Sequence, residues 1–197
     1  MLIFPENLVL ENDRVLMRPL QSDDLEFLLP FAVNEPDTWD FSLVSAAGKA
    51  GMTKYVEYAV RQLQLKKDYT FIVFDKTANA YAGSSRFYDI QLDFATAILG
   101  YTWYGRKFRQ TGLNRHCKYL MLNFAFEQWG MERVEFRADL RNEKSIEAMK
   151  KIGCTVEGIF RSHYPIISGG RKDSIILSIL KNEWFDFVKK NLQEKIH

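Results

Sequence analysis

The chain has 197 residues, 47% hydrophobic and 14% aromatic, enough apolar material for one sizeable core and too much for a disordered polypeptide. Its 27 basic and 25 acidic residues leave a formal net charge of +2, too small for nucleic-acid binding by bulk electrostatics. There is no run of 18 apolar residues to span a membrane, and Met1-Leu2-Ile3-Phe4-Pro5-Glu6 lacks the basic and apolar stretches of a secretion signal, so the cytoplasm is the default compartment.

Arg14 to Arg18 alternates and reads as a first strand, bounded by Pro19. Ser22 is placed to cap a short helix carrying Leu25, Leu28 and Leu29, with Asp23 and Asp24 in its first turn. Asn34 to Ala47, with Pro36, Trp39 and Phe41, is irregular. A second helix is expected from about Lys49 to Lys67, with Met52, Val56, Ala59, Val60 and Leu63 on its apolar stripe. Tyr69 to Asp75, Tyr81 to Asp89 and Ala95 to Trp103 read as an antiparallel meander, the first two joined by a turn at Thr77 to Ala80.

A long amphipathic helix follows, from about Gly112 to Gln128, with Leu113, Cys117, Leu120, Met121, Phe124 and Ala125 on one face and Gly130 ending it. Arg133 to Ala138 is a short strand. Asn142 can cap the next helix, which presents Ile146, Met149 and Ile152 to the core and stops at Gly153. Thr155 to Tyr164 and Asp173 to Leu180 read as paired strands linked through Ser168-Gly169-Gly170, and a final helix covers about Asn182 to Leu192. No repeat and no linker divides the chain. The pattern is a single mixed α/β domain over residues 1–197.

Cys117 and Cys154, the two cysteines, lack zinc-site spacing and both fall in apolar patterns, so buried thiols are expected and no metal site. The chemically informative stretch is Arg109-Gln110-Thr111-Gly112-Leu113-Asn114, where a strand-like run gives way to a helix. Backbone N–H groups gathered at such a corner suit an anion such as a pyrophosphate, Gly112 permits close approach, and Arg109 can add a charged contact. An ordinary strand–loop–helix corner is the competing reading. The stretch is neither a P-loop nor a GxGxxG fingerprint.

The chain resembles the Gcn5-related N-acetyltransferases, in the branch that includes the ribosomal-protein N-terminal acetyltransferases. The residues that carry the resemblance are Val15-Leu16-Met17-Arg18-Pro19-Leu20 with Asp23-Asp24, Gly100-Tyr101-Thr102-Trp103, and the loop Arg109 to Asn114 set against the family's (Q/R)xxGx(G/A). Further along come Phe124 to Glu127, Gly130 to Val134, Asn142, Ser145, Lys151-Ile152-Gly153, Glu157-Gly158 with Arg161, Asp173, and Ser178 to Leu180. The resemblance implies an α/β domain with a V-shaped mixed sheet flanked by helices. It implies transfer of an acetyl group from acetyl-CoA, the co-substrate, to a primary amine by direct attack in a ternary complex. Amides of Gln110, Thr111, Gly112, Leu113 and Asn114 would hold the pyrophosphate, Tyr101, Thr102 and Trp103 would line the pantetheine arm, and Asn142 and Ser145 would lie near it. Asn114 departs from the usual Gly or Ala. The acceptor implied is a protein N-terminus or a small amine, and a homodimer is compatible with the branch.

The amine must be neutral, the oxyanion needs a donor, and the thiolate needs a proton. Relatives carry a Glu two residues before the Gly-Tyr pair, where this chain has Ile98. Glu135 is the first substitute as base, Asp139 the second, and a water chain the third. Tyr164 and Ser145 are candidates for the leaving group or thioester, His163 for the acceptor cleft, and His116 for the cofactor's edge. Trp39, Phe41, Tyr88 and Trp103 offer an apolar slot, and Asp37, Asp40, Asp89 and Asp93 could gather about a cation. Competing readings are a non-catalytic acyl-CoA-binding or regulatory module and a purely structural interaction protein.

Overall fold

The core strands form where β-branched and aromatic residues alternate, and they assemble into one sheet. The computed structural model describes residues 4–5, 7–166 and 169–196; Ser168 of the expected turn lies outside them, as do Met1 to Ile3 and Glu6. In chain order the strands are β1 (Leu10–Glu11), β2 (Val15–Pro19), β3 (Tyr69–Asp75), β4 (Ala80–Gln91), β5 (Thr96–Tyr104), β6 (Arg133–Asp139), β7 (Thr155–Pro165) and β8 (Arg171–Leu180). They lie in the order β1-β2-β3-β4-β5-β6-β8-β7. Every pairing is antiparallel except β5 with β6.

That parallel pairing is short. Thr96, Ala97 and Ile98 face Arg133, Val134 and Glu135, and there the register ends. Beyond it β5 continues to Tyr104 along β4, while β6 continues to Asp139 along β8. The sheet therefore opens into a V from Leu99 onward, as the family resemblance implied.

Helices cover both faces. On one side α1 (Leu25–Asn34) and α2 (Gly48–Gln64) bury Leu28, Ala32, Met52, Val56 and Ala59 against Ile72 and Trp103. On the other, α3 (Leu113–Asn123) and α4 (Glu143–Lys151) join the C-terminal segment, α5 (Lys181–Glu183) and α6 (Lys189–Gln193). This side holds the larger core, with Phe71, Phe87, Leu99, Met121, Phe136 and Trp184. Each such side chain, fully removed from water, contributes about 1.5–3 kcal/mol before entropy is charged against it.

Several local expectations need correction. Ser22 is exposed and caps nothing; it opens a 3-10 turn, Ser22–Asp24. The buried carboxylate of Asp24 accepts from the Gln21 amide at 2.8 Å and from both Nη atoms of Arg18. The second helix stops at Gln64 and Lys66 turns left-handed, three residues before the core strand that follows. The long helix is regular only to Asn123. Phe124–Gln128 widens into a π turn, and Trp184–Val188 does likewise between α5 and α6. The two widened turns meet through stacked Phe126 and Trp184, whose centroids are 5.7 Å apart. The short β1 was not expected at all.

Candidate active site

At the end of β5 the chain makes a 3-10 turn, Arg106–Phe108, and enters α3 through Arg109 to Gly112. Gln110 has φ +63° and Gly112 φ +90°, two left-handed residues separated by Thr111. Alternation of this kind curls successive N–H groups toward one side and makes an anion-binding concavity, and the positive end of α3 adds to it, although the Leu113 amide lies 3.4 Å from Thr111 Oγ1 and the Arg115 amide donates to the Gly112 carbonyl at 2.9 Å. Thr111 Oγ1 donates to the Phe108 carbonyl at 2.8 Å, which fixes the bend. A Cβ built on Gly112 would meet nothing within 4 Å, so the space in front of the loop is open. No acidic residue stands in the first turn of α3, and Asn114 Oδ1 is buried without a hydrogen-bond partner. The curled amides and the open space in front of Gly112 fit a diphosphate, whereas the buried Asn114 Oδ1, itself an acceptor, adds nothing to that fit. Arg109 is less available than its sequence position suggested. Its Nε donates to the Tyr104 carbonyl at 2.9 Å and its Nη2 to Thr38 Oγ1 at 2.8 Å.

β5 carries a bulge. Ser84 faces Trp103 but Arg86 faces Gly100, so β5 has one residue more than β4 over this stretch, and Tyr101 takes φ +48°. A bulge of this kind releases backbone groups from the ladder and re-aims side chains. It lies where β5 has already parted from β6. From Leu99 to Tyr104 one edge of β5 thus has no neighbouring strand, an edge to which an extended amide-bearing arm can add as a strand would. Tyr101, Thr102 and Trp103 all belong to that edge.

On the α1–α2 side of the opening the aromatics cluster. Tyr101 meets Tyr88 edge-on at 4.9 Å, and the Tyr88 ring covers Gly100 so closely that a Cβ there would sit 3.0 Å from Cε1. Arg86, buried, lies 4.6 Å from the Tyr101 centroid, 5.3 Å from that of Tyr55 and 5.2 Å from that of Tyr58, with Asp68 at 3.4 Å. Burial raises the phenols of Tyr88 and Tyr101 above their ordinary range and raises the Asp68 carboxyl. Arg86, Tyr55, Tyr58 and Asp68 were missed by sequence reasoning; an arginine between Ser85 and Phe87 in the middle of an expected strand was the available signal.

Alternation on β6 puts Val134 and Phe136 in the larger core and sends Glu135 and Arg137 to the opposite face. There Glu135 accepts from Arg137 Nε at 2.5 Å and from Arg133 Nη2 at 3.0 Å, so both its oxygens are engaged. β7 approaches the same face through its own bulge. Phe160 faces Ser174 and Tyr164 faces Lys172, leaving two extra residues on β7, and Ser162 takes φ +53° with its amide on Asp173 Oδ1 at 2.7 Å. This turn brings His163 against Tyr164, centroids 3.8 Å apart, with Phe160 edge-on at 5.0 Å. Burial, then the charges of Arg137 and Arg171, hold the imidazole below its ordinary pKa, and its Nδ1 is buried without a partner.

Asp139 is a brace: Arg141 grips it through Nε, Nη2 and the backbone amide, and these bonds pull its pKa down to about 2. Asn142 caps α4, its Oδ1 accepting from the Ser145 amide at 3.2 Å, which leaves the Ser145 hydroxyl uncommitted to the cap. His116 contacts Asn12 Nδ2 through Nδ1 at 3.1 Å, toward β1 and β2. Trp39 and Trp103 pack edge-on at 5.2 Å inside the smaller core, so they wall the site from beneath, whereas Phe41 is exposed. The acids do not gather. Asp37 pairs with Arg106, Asp89 takes the side chain of Gln91, and Asp93 lies in the turn before β5. Cys117 and Cys154 are free and buried.

With this geometry in view, comparison with known proteins is direct. Residues 14–155 match the acetyltransferase (GNAT) domain family, and the chain belongs to it. It is 26% identical over 177 residues to the probable N-acetyltransferase YjcK of Bacillus subtilis, covering 87% of this chain and 97% of that one. A GCN5-related N-acetyltransferase from Brucella melitensis superposes with a TM-score of 0.90 at 22% identity, over 100% of this chain and 88% of that one. The ribosomal-protein-S5-alanine acetyltransferase of Vibrio fischeri shares the fold with a TM-score of 0.73 at 20% identity, over 90% and 99%. The fold supports acyl-CoA-dependent acyl transfer as the general chemistry.

Proposed function

We propose that the protein is an N-acetyltransferase that moves the acetyl group of acetyl-CoA to a primary amine, a protein N-terminus or a small-molecule amine, by direct attack in a ternary complex. The observation that carries this reading is the conjunction of the left-handed Gln110–Gly112 loop with the unpaired, bulged edge of β5. One end suits a diphosphate and the other an amide-bearing arm. Backbone N–H groups freed at the Tyr101 bulge would face the thioester carbonyl and stabilise the oxyanion that forms there. The acceptor would enter from the side of Tyr101, Glu135 and His163. Glu135 is the first candidate to take the amine's proton and His163, with a lowered imidazole pKa and an unused Nδ1, the second; Tyr164 and Ser145 are the candidates to assist the leaving sulfur or the thioester. Likeness to the ribosomal-protein branch favours a peptide N-terminus among the acceptors.

Calorimetric titration with acetyl-CoA and with CoA, followed by thiol release over a panel of amines and N-terminal peptides, tests the reading. Saturable 1:1 binding with turnover of at least one amine is the expected result. Binding without turnover over a broad panel favours the acyl-CoA-binding module instead, and no binding by folded protein removes the cofactor assignment.

A further inference from the structure

Thr102 lies four residues past the last β5–β6 pair and turns its side chain to the α3 side of the sheet. There it meets Lys118, whose Nζ donates to Thr102 Oγ1 at 2.7 Å and to Ser85 Oγ on β4 at 3.3 Å. Lys118 is 5% exposed, and none of the ion pairs among the described residues includes it. The titratable groups whose charge it feels are the thiols Cys117, on its own helix, and Cys154, between α4 and β7. Both are pushed up to about 12 by burial and so carry no charge at neutral pH. The lysine's bonds to Thr102 of β5 and Ser85 of β4 put the amine on the α3 face of the sheet, beside the stretch of β5 that has already parted from β6.

A structural spacer does not account for this lysine. Ser85 and Thr102 already bond each other at 2.7 Å, and burying an amine without a carboxylate costs several kcal/mol that an apolar side chain of the same length would not. Burial lowers the Lys118 pKa to about 7, so the group exchanges its proton in the working range of an enzyme at neutral pH.

We propose that Lys118 lies against the sulfur of the bound thioester and gives a proton to the departing CoA thiolate. The proposal rests on reading the β5–β6 opening as the thioester channel. The neutral amine of the acceptor forms a C–N bond to the carbonyl carbon. Collapse breaks the C–S bond, and its electron pair goes to sulfur. The Lys118 ammonium passes a proton to that sulfur and becomes a neutral amine. The proton shed by the acylated nitrogen returns to Lys118 through solvent, so none is gained or lost overall. Negative charge growing on sulfur favours the protonated lysine, so the group is charged when it is needed.

The test needs no knowledge of the acceptor. Bound CoA is titrated with pH by the ultraviolet absorbance of its thiolate, in wild type, Lys118→Met and Lys118→Arg, with Kd for CoA measured alongside. Thiolate is expected to appear about one pH unit or more lower in wild type than in Lys118→Met, with little change in Kd, and Lys118→Arg is expected to keep the low value. Equal titrations in wild type and a folded, CoA-binding Lys118→Met overturn the assignment of Lys118 alone. Failure of the wild type to bind CoA overturns the channel reading, and this proposal with it. Should Lys118→Met not fold, a Lys118→Arg thiol titration displaced upward from wild type by about one pH unit overturns the assignment.

Discussion

The buried amine of Lys118 ties the stability of the fold to pH. In the unfolded chain its amine titrates near 10.5 and in the fold at about 7, so between those values the unfolded state binds the extra proton. Stability is therefore expected to rise with pH from about 7 to about 10.5. Below that window the full cost of a buried charge is present, roughly 3–5 kcal/mol. Lys118→Met should melt above wild type at pH 7, with the gap closing toward pH 10; a variant that melts lower at every pH contradicts this. At the acceptor face, Glu135→Gln should lower turnover about 100-fold without weakening acetyl-CoA binding if Glu135 takes the proton. An unchanged pH–rate profile in Glu135→Gln, with a loss in His163→Gln, moves the role to His163. Neither assignment was legible from sequence beyond residue type. Alternation correctly sent Glu135 away from the core, but its two arginine partners and the bulge that re-aims His163 depend on strands that pair only in three dimensions.

Among the elements, the corner between β5 and α3 was the most legible, because a glycine at a strand-to-helix junction has few conformational uses. Gly112 needs its left-handed φ and faces open space. Gly112→Asp should reduce CoA affinity at least about tenfold, since it sets a carboxylate among donors meant for an anion, with a backbone penalty of about 1 kcal/mol. Calorimetry that finds the affinity intact contradicts the diphosphate assignment. The bulge in β5 was invisible in sequence. Gly100-Tyr101-Thr102-Trp103 alternates as well as any strand, and only the register against β4 shows the extra residue. The widened turns Phe124–Gln128 and Trp184–Val188 escaped for a similar reason: their apolar spacing satisfies a regular helix, and it is their mutual packing through Phe126 and Trp184 that accommodates the wider turn.

At the scale of the molecule, the order of strands and helices could be read in the chain, but the V rests on three residue pairs between β5 and β6. The two arms also touch where Lys172 of β8 donates to the Phe41 carbonyl, in the loop between α1 and α2, at 3.2 Å. A co-substrate that fills the opening bridges both arms, so saturating CoA, at about 100 times its Kd, should add roughly 2.7 kcal/mol and raise the melting temperature by about 5–10 °C. The open stretch of β5 has a second meaning for the protein in solution. An unpaired row of N–H and C=O groups inside a sheet invites a strand from another chain as readily as a pantetheine arm, and proteins ordinarily cover or charge such edges. With CoA bound as proposed, the cover would be the metabolite itself. Light scattering at a temperature below the melting point should show ligand-free protein clumping while CoA-loaded protein stays dispersed. Cellular CoA would then govern not only how fast the enzyme works but how long it remains soluble.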